Sequence, residues 1–231
     1  QIIPVTHLIA DGETQMAADA ALFEWVKTQE EGLLIWRTYS WEPQTWSVGC
    51  HQKLEKLSNP ENTPVVRRPT GGRAILHGED VSFAFISNSP LLLKQNVSES
   101  YCVFQTWVRQ ALTTLGVPLA SACQTEASPT PYQNKSLCFE TKTTYDLSAP
   151  TGEKISGAAQ LKHRNALLQH GVVFIQHHIK TPELLFNAAL SEVISNSLPN
   201  LPTSAPRHWS ELIETKETEC LSATLSGFVN N

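Results

Sequence analysis

Hydrophobic and polar positions along the chain alternate with periods that predict helix, strands, helix, strands and helices, in that order. The first periodic segment is residues 16–27, where Ala18, Ala21, Leu22, Trp25 and Val26 fall at the i, i+3, i+4, i+7, i+8 spacing of an amphipathic helix. Gly32 ends the pattern. Residues 33–38 and 45–49 read as strands around a turn containing Pro43, and residues 64–68 as a third. Residues 74–77 and 81–87 are a fourth and fifth, split by Gly78-Glu79-Asp80. In the fifth, Val81, Phe83 and Phe85 alternate with Ser82 and Ala84, as in a half-buried strand. Residues 98–115 predict the long central helix, with Ser98 as N-cap and Tyr101, Phe104, Trp107, Val108, Leu112 and Leu115 on one face. Residues 120–136 are rich in Ser, Thr, Pro, Gln and Asn and read as a long polar loop. Residues 143–147, 154–160 and 166–176 read as strands. Residues 181–191 read as a helix with Pro182 in its first turn, and a last helix is expected near 208–216. This order predicts an α+β fold, a mixed or antiparallel sheet with helices on its faces. For 231 residues a single domain spanning 1–231 is expected.

Composition narrows the classes. Hydrophobic residues make up 41% and charged residues 17%, which is globular rather than disordered. No apolar run approaches the roughly 20 residues of a membrane span, and a net charge of −5 without a basic stripe argues against nucleic acid. Gln1-Ile2-Ile3-Pro4 carries no basic region leading into a long apolar stretch, so no signal peptide is read. Position 1 is not Met and Met16 is the sole methionine, so the native start is expected upstream. Cysteines stand at 50, 102, 123, 138 and 220, an odd number with wide spacings and no C-x-x-C. That supports neither a zinc site nor a disulfide scaffold, and fits reduced thiols in a cytoplasm. Cys102 reads as core on the central helix, while Cys50 is open between a pocket wall and an ordinary small hydrophobe. His177 and His178 are neighbours on a strand and point to opposite faces, so no metal site is expected.

Two segments ask for chemistry. The first is Arg67-Arg68-Pro69-Thr70-Gly71-Gly72-Arg73, running on to His77. Two glycines let a backbone turn approach a ligand, and their N–H groups can face an acyl carbonyl or a phosphate, with the arginines as fixed charge. The spacing matches neither G-x-x-x-x-G-K-[ST] nor G-x-G-x-x-G. A plain hairpin turn with solvated arginines is the equal alternative. The second segment is Leu137-Cys138-Phe139, then Lys154-Ile155-Ser156-Gly157-Ala158-Ala159-Gln160, then Leu168-Gln169-His170-Gly171. A thiol near an ammonium favours the thiolate, and the thiolate is the attacking form. Cys138 beside Lys154 would suit acyl transfer from a thioester, with Ser156-Gly157 positioning the acyl carbonyl. The alternatives are an inert buried cysteine and a solvated turn lysine. His77 and His170 each stand beside glycine and fit a pocket role and a structural role equally.

Taken together the segments resemble the lipoate–protein ligase A/octanoyltransferase family, which shares its catalytic fold with biotin protein ligase. Residues 67–77 are similar to the family's R-R-x-x-G-G-x-x-V-x-H signature, 154–160 to its K-[IV]-x-G-S-A-Q strand, 168–171 to its L-Q-H-G, and Met16-Ala17-Ala18-Asp19 to its early M-A-x-D helix. The chain departs from the pattern at Leu137, at Ala158 and across residues 140–146. The resemblance implies a biotin/lipoate ligase-like catalytic domain and, of the family's activities, comes closest to octanoyltransferases of the LipM type. It assigns Cys138 as nucleophile and Lys154 as its partner. Arg68, Gly71, Gly72, His77, Ser156, Gly157, Ala158 and His170 are then substrate-binding, with no metal and no cofactor. The implied donor is octanoyl-acyl carrier protein. The implied acceptor is a lipoyl-domain protein, glycine cleavage H protein or a 2-oxoacid dehydrogenase E2, with the arginine cluster steering these acidic partners. An ATP-dependent ligase subunit, a lipoyl-domain amidotransferase and a non-catalytic acyl-binding module are the alternatives.

Overall fold

The computed structural model describes residues 1–57, 62–120, 146–175 and 181–213. The elements are β1 (Ile2–Ala10), α1 (Gly12–Val26), β2 (Leu34–Trp41), β3 (Thr45–Val48), β4 (Val65–Arg67), β5 (Ile75–His77), β6 (Val81–Ser87), α2 (Pro90–Leu93), α3 (Val97–Thr114), β7 (Leu147–Ser148), β8 (Lys154–Lys162), β9 (Leu167–Val173), α4 (Pro182–Ser197) and α5 (Trp209–Ile213), with a 3-10 turn at Leu54–Lys56. Six strands form a mixed sheet in the order β1-β2-β6-β9-β8-β7. It is parallel between β1 and β2 and antiparallel elsewhere. A second sheet, β4-β3-β5, lies beside α1. The architecture is the α+β arrangement that the pattern predicts, with helices against the sheet.

Local chemistry sets the helix ends. Asp11 caps α1 by accepting from the Thr14 N–H at 2.8 Å, so the helix starts four residues before the apolar periodicity does. Asn96, not Ser98, caps α3. Its side chain accepts from the Glu99 N–H, and Glu99 accepts from the Asn96 N–H, a complete capping box. Ser98 lies inside the first turn. The predicted face of α3 is the one that packs, but Cys102 is exposed rather than core. It sits two positions before Phe104, on the opposite side of a 3.6-residue turn.

Two cores enclose the large sheet. On one face Phe83 and Phe85 of β6 meet Phe104 and Trp107 of α3 and Phe186 of α4, with Phe85 and Phe104 stacked at 4.7 Å. On the other face Leu22, Phe23 and Val26 of α1 meet Ile35, Ile86 and Leu168. Every residue of β6 is therefore buried, and the half-buried strand read from its alternation is corrected. Of its small and polar positions Ser82 lines the site, Ala84 packs in the core and Ser87 donates to the Leu33 carbonyl, so none faces water. β1 has no counterpart in the sequence reading, which took residues 1–4 only as a segment without a signal peptide. Pro4 is tolerated at the sheet's edge, where β1 pairs with β2 alone among named strands. Strands adjacent in sequence also part company: β2 and β3, and again β5 and β6, belong to different sheets. The described parts of the loop at 120–136 and of the strand at 143–147 are only Ala120 and Asp146–Leu147; the remainder, with Cys123, Cys138, Cys220, His177 and His178, lies outside the described residues.

Candidate functional site

The separation of the two sheets opens a cleft between them, about 400 Å³ of non-atom space with its open mouth included. Its lining comes from β2, β3, β5, β6, β8, β9, the glycine turn and Met16 of α1. A burial gradient gives it a direction. Gly72 is exposed and Ala158 and Ala159 are half-buried at one end, whereas Tyr39, Trp41, Ser47, His77 and Ser82 at the other are all buried. The site is a slot with a mouth at the glycine turn and a closed floor under β2.

The glycine turn is held by Arg68. Its guanidinium donates to the carbonyls of Ser47, Gly71 and Arg73 and to Ser47 Oγ, at 2.7–3.2 Å. Gly72 has φ +93°, and a Cβ there would stand 2.8 Å from the Arg68 head group, so only glycine fits. Gly71 contributes its carbonyl to the clamp and does not line the cavity. Arg67 donates to the carbonyls of Gly49, Cys50 and Gln52. Arg68 and Arg73 are buried. Arg68 and Arg73 are thus withdrawn from solvent and offer no steering charge, while half-buried Arg67 donates from its fork to three backbone carbonyls. Cys50 is half-buried, and its N–H bonds the Thr70 carbonyl.

Under the turn lies a buried charge network. Asp19 of α1 is in ionic contact with Arg37 Nε at 3.0 Å. It accepts from Tyr39 OH at 3.0 Å and from His170 Nδ1 at 2.8 Å. His170 Nε2 meets Thr70 Oγ1. Burial pushes the His170 ring below its ordinary pKa, although Asp19 pulls the other way. The ring is therefore neutral: Nδ1–H donates to the carboxylate and Nε2 accepts from Thr70. Burial would raise the Asp19 carboxyl, but Arg37, His170 and Tyr39 outweigh it and hold it below the usual value. This chain of contacts ties α1 to the glycine turn through β9. At the floor, His77 Nδ1 lies 3.0 Å from Asp80 Oδ2 and Nε2 2.8 Å from Ser47 Oγ, with the ring stacked on Trp41.

Lys154 is buried at the other wall, its ammonium 2.9 Å from Asp146. The spacing K-x-x-G has a direct cause. A Cβ on Gly157 would stand 2.6 Å from Lys154 Cε and 2.8 Å from Nζ, so the lysine lies over bare backbone that also lines the slot. Of the predicted site residues, the structure brings Arg68, Gly72, His77, Gly157, Ala158 and His170 to one cavity, with Lys154 against Gly157. Ser156 is buried in β8 but does not line it. Cys138 lies outside the described residues. Asp146, Asp19, Arg37, Trp41 and Ser47 were missed. Asp19 had a signal, since it is a carboxylate on the apolar side of a predicted helix. Asp146 had none, because its partner comes from across a hairpin.

Fold and slot together define an α+β domain with a mostly apolar slot beside a glycine turn, and the chain belongs to the family described as the lipoyl protein ligase A/B catalytic domain, whose model matches residues 11–202. Among curated proteins it is similar to octanoyltransferase LipM of Exiguobacterium sp. (strain ATCC BAA-1283 / AT1b), 37% identical over 72% of this chain and 64% of that protein. It is also similar to octanoyltransferase LipM of Lysinibacillus sphaericus, 31% identical over 94% and 81%, and of Bacillus subtilis, 34% identical over 69% and 60%. The chain thus spans less than two thirds of the first of these relatives. Two solved structures share the fold: lipoate-protein ligase A bound with ATP, at TM-score 0.70, 17% identity and 98% and 95% coverage of the two chains, and the bi-partite lipoate protein ligase of Thermoplasma acidophilum with its E2 lipoyl domain, at TM-score 0.64, 19% identity and 97% and 94% coverage. No described helix is long and apolar enough to cross a membrane.

Proposed function

We propose that this protein is an acyltransferase that moves an octanoyl group from octanoyl-acyl carrier protein to a lysine of a lipoyl domain, through a thioester on Cys138. The observation that carries the reading is an apolar slot with a closed floor and, packed against Gly157 of its wall, a buried lysine–carboxylate pair, Lys154 with Asp146. The LipM relatives at 31–37% identity support it.

In this reading the octanoyl carbonyl lies over Gly157, beside the mouth, and the tail runs from there toward the floor. The Cys138 thiolate attacks the thioester carbonyl, and the carbonyl π electrons move to oxygen. The turn amide at Gly72 and the backbone at Gly157, both of which line the slot, face that oxyanion. Collapse of the intermediate expels the carrier's thiolate, which takes a proton, and leaves octanoyl–Cys138. A neutral acceptor lysine then attacks the same carbonyl. It loses a proton, expels the Cys138 thiolate and forms the amide. The Lys154 cation favours the thiolate at both stages, and Asp146 fixes where that cation sits. Arg68 shapes the turn, and His170 and His77 hold it and the floor in place. The acceptor is a lipoyl-domain protein, a glycine cleavage H protein or a 2-oxoacid dehydrogenase E2. The setting is the cytoplasm, where thiols stay reduced.

The test is intact-mass analysis after mixing the protein with octanoyl-carrier protein, without ATP, followed by addition of a lipoyl domain. An octanoyl adduct that appears on the enzyme and then on the acceptor is expected, and Cys138→Ala abolishes both. Wild-type turnover by Cys138→Ala, or transfer only from free octanoate with ATP, overturns the proposal, the latter in favour of a ligase.

A further inference from the structure

The strand registers place a ruler across the slot. Gly157 of β8 pairs with Val172 of β9, Val172 with Ser82 of β6, and Ser82 with Tyr39 of β2. These residues form one row running from the lysine wall to the floor, three strand spacings or about 14 Å long. An extended alkyl chain built from bonds of about 1.5 Å advances about 1.25 Å per carbon, so an octanoyl group covers roughly 9 Å and ends near Ser82. The group standing there is the indole of Trp41. Its Nε1–H donates to Ser82 Oγ at 2.8 Å. Its ring is stacked on His77 with centroids 4.0 Å apart and planes 12° apart. His77 in turn is held by Asp80 and Ser47, and Asp80 also accepts from Ser82. Trp41, His77 and Ser82 are all buried. The indole cannot swing aside without breaking its buried hydrogen bond to Ser82 and its stack on His77.

We propose that Trp41, locked by Ser82 and His77, is the residue that sets the length of the acyl chain this protein accepts. The proposal rests on the acyl slot of the reading above and adds the specificity-determining residue. Removing the indole lets the chain advance by up to one strand spacing, room for about three to four more carbons. Each newly buried methylene is worth about fourfold in binding. Trp41→Leu therefore moves preference from octanoyl to decanoyl and dodecanoyl. Ser82→Ala, which frees the indole without emptying the floor, broadens the preference more weakly.

Two measurements are made on wild type, Trp41→Leu and Ser82→Ala, each confirmed folded by its unfolding transition. One is the rate of acyl-adduct formation from hexanoyl, octanoyl, decanoyl and dodecanoyl carriers. The other is calorimetric binding of the free acids, which reads the slot without any transfer. The expected result is a dodecanoyl-to-octanoyl ratio at least about tenfold higher in Trp41→Leu than in wild type, in both measurements. An unchanged ratio in a folded variant overturns the proposal. Absence of any adduct from wild type, with the binding ratios still shifted, overturns the acyl-transfer reading and leaves the ruler standing. Should Trp41→Leu not fold, Ser82→Ala decides, and an octanoyl preference as sharp as wild type sinks the proposal.

Discussion

Replacing Asp19 by asparagine is the most demanding test of how the site is built. The carboxylate is wholly buried, touches Arg37 at 3.0 Å, and accepts from Tyr39 and His170. Asparagine keeps the shape and removes the charge. Arg37 is 1% exposed and is left as a buried cation with no anion against it, its acceptors the Gln15 carbonyl and Gln15 Oε1 and a neutral asparagine oxygen in place of the carboxylate. Breaking a buried pair from one side costs about 3–5 kcal/mol, a large share of a typical total of about 5–15 kcal/mol. For a chain of this size each kcal/mol moves the midpoint by about 2–4 °C, so Asp19→Asn lowers Tm by roughly 6–20 °C. Urea unfolding reads the same loss as a shifted midpoint at unchanged slope. Adding Arg37→Met recovers much of it, since the stranded charge goes too. The pH dependence has a definite sign. His170 is depressed below its ordinary 6.5, so its neutral-ring contribution is complete above pH 6.5 and is lost as pH falls toward the folded value. Asp19 is depressed below 3.8, so its contribution is present above that pH and is lost below it. The wild type thus weakens in two acid steps and Asp19→Asn lacks the lower one. A loss under about 1 kcal/mol at neutral pH, with the lower step intact, would refute the reasoning.

Two further outcomes follow from the same geometry. Gly157→Ala puts a Cβ 2.6 Å from Lys154 Cε, so the flexible lysine yields and its ammonium leaves Asp146; adduct formation from octanoyl-carrier falls about tenfold or more, equivalent to about 1.4 kcal/mol, and an unaltered rate in a folded variant contradicts the role given to Lys154. Arg68→Lys leaves a point charge where a fork served three carbonyls and Ser47 Oγ; it costs about 2 kcal/mol or more in urea unfolding, with faster amide exchange across residues 71–74, and protection equal to wild type argues against the clamp.

The sequence by itself determined the elements whose signal is local. The spacing of Ala18, Leu22 and Val26 fixed α1, and the apolar stripe from Phe104 to Leu112 fixed α3, because side chains three and four apart share a helix face whatever surrounds them. The run from Arg67 to His77 and the Lys154-x-x-Gly157 spacing marked where chemistry was concentrated, and they did so through resemblance rather than through local physics. Tertiary structure decided what those residues do. Arg68 became a clamp only because β3 and the glycine turn aimed carbonyls at it. Asp146 met Lys154, and Asp19 met Arg37 and His170, across separations that no periodicity encodes. Cys102 went outside and Ser82 inside for the same reason: burial depends on which neighbour covers each face. The slot exists because β2 and β3, next to each other in the chain, part into different sheets. That division is set by pairing with distant segments, β2 with β1 and β6 and β3 with β4 and β5, and not by any one segment.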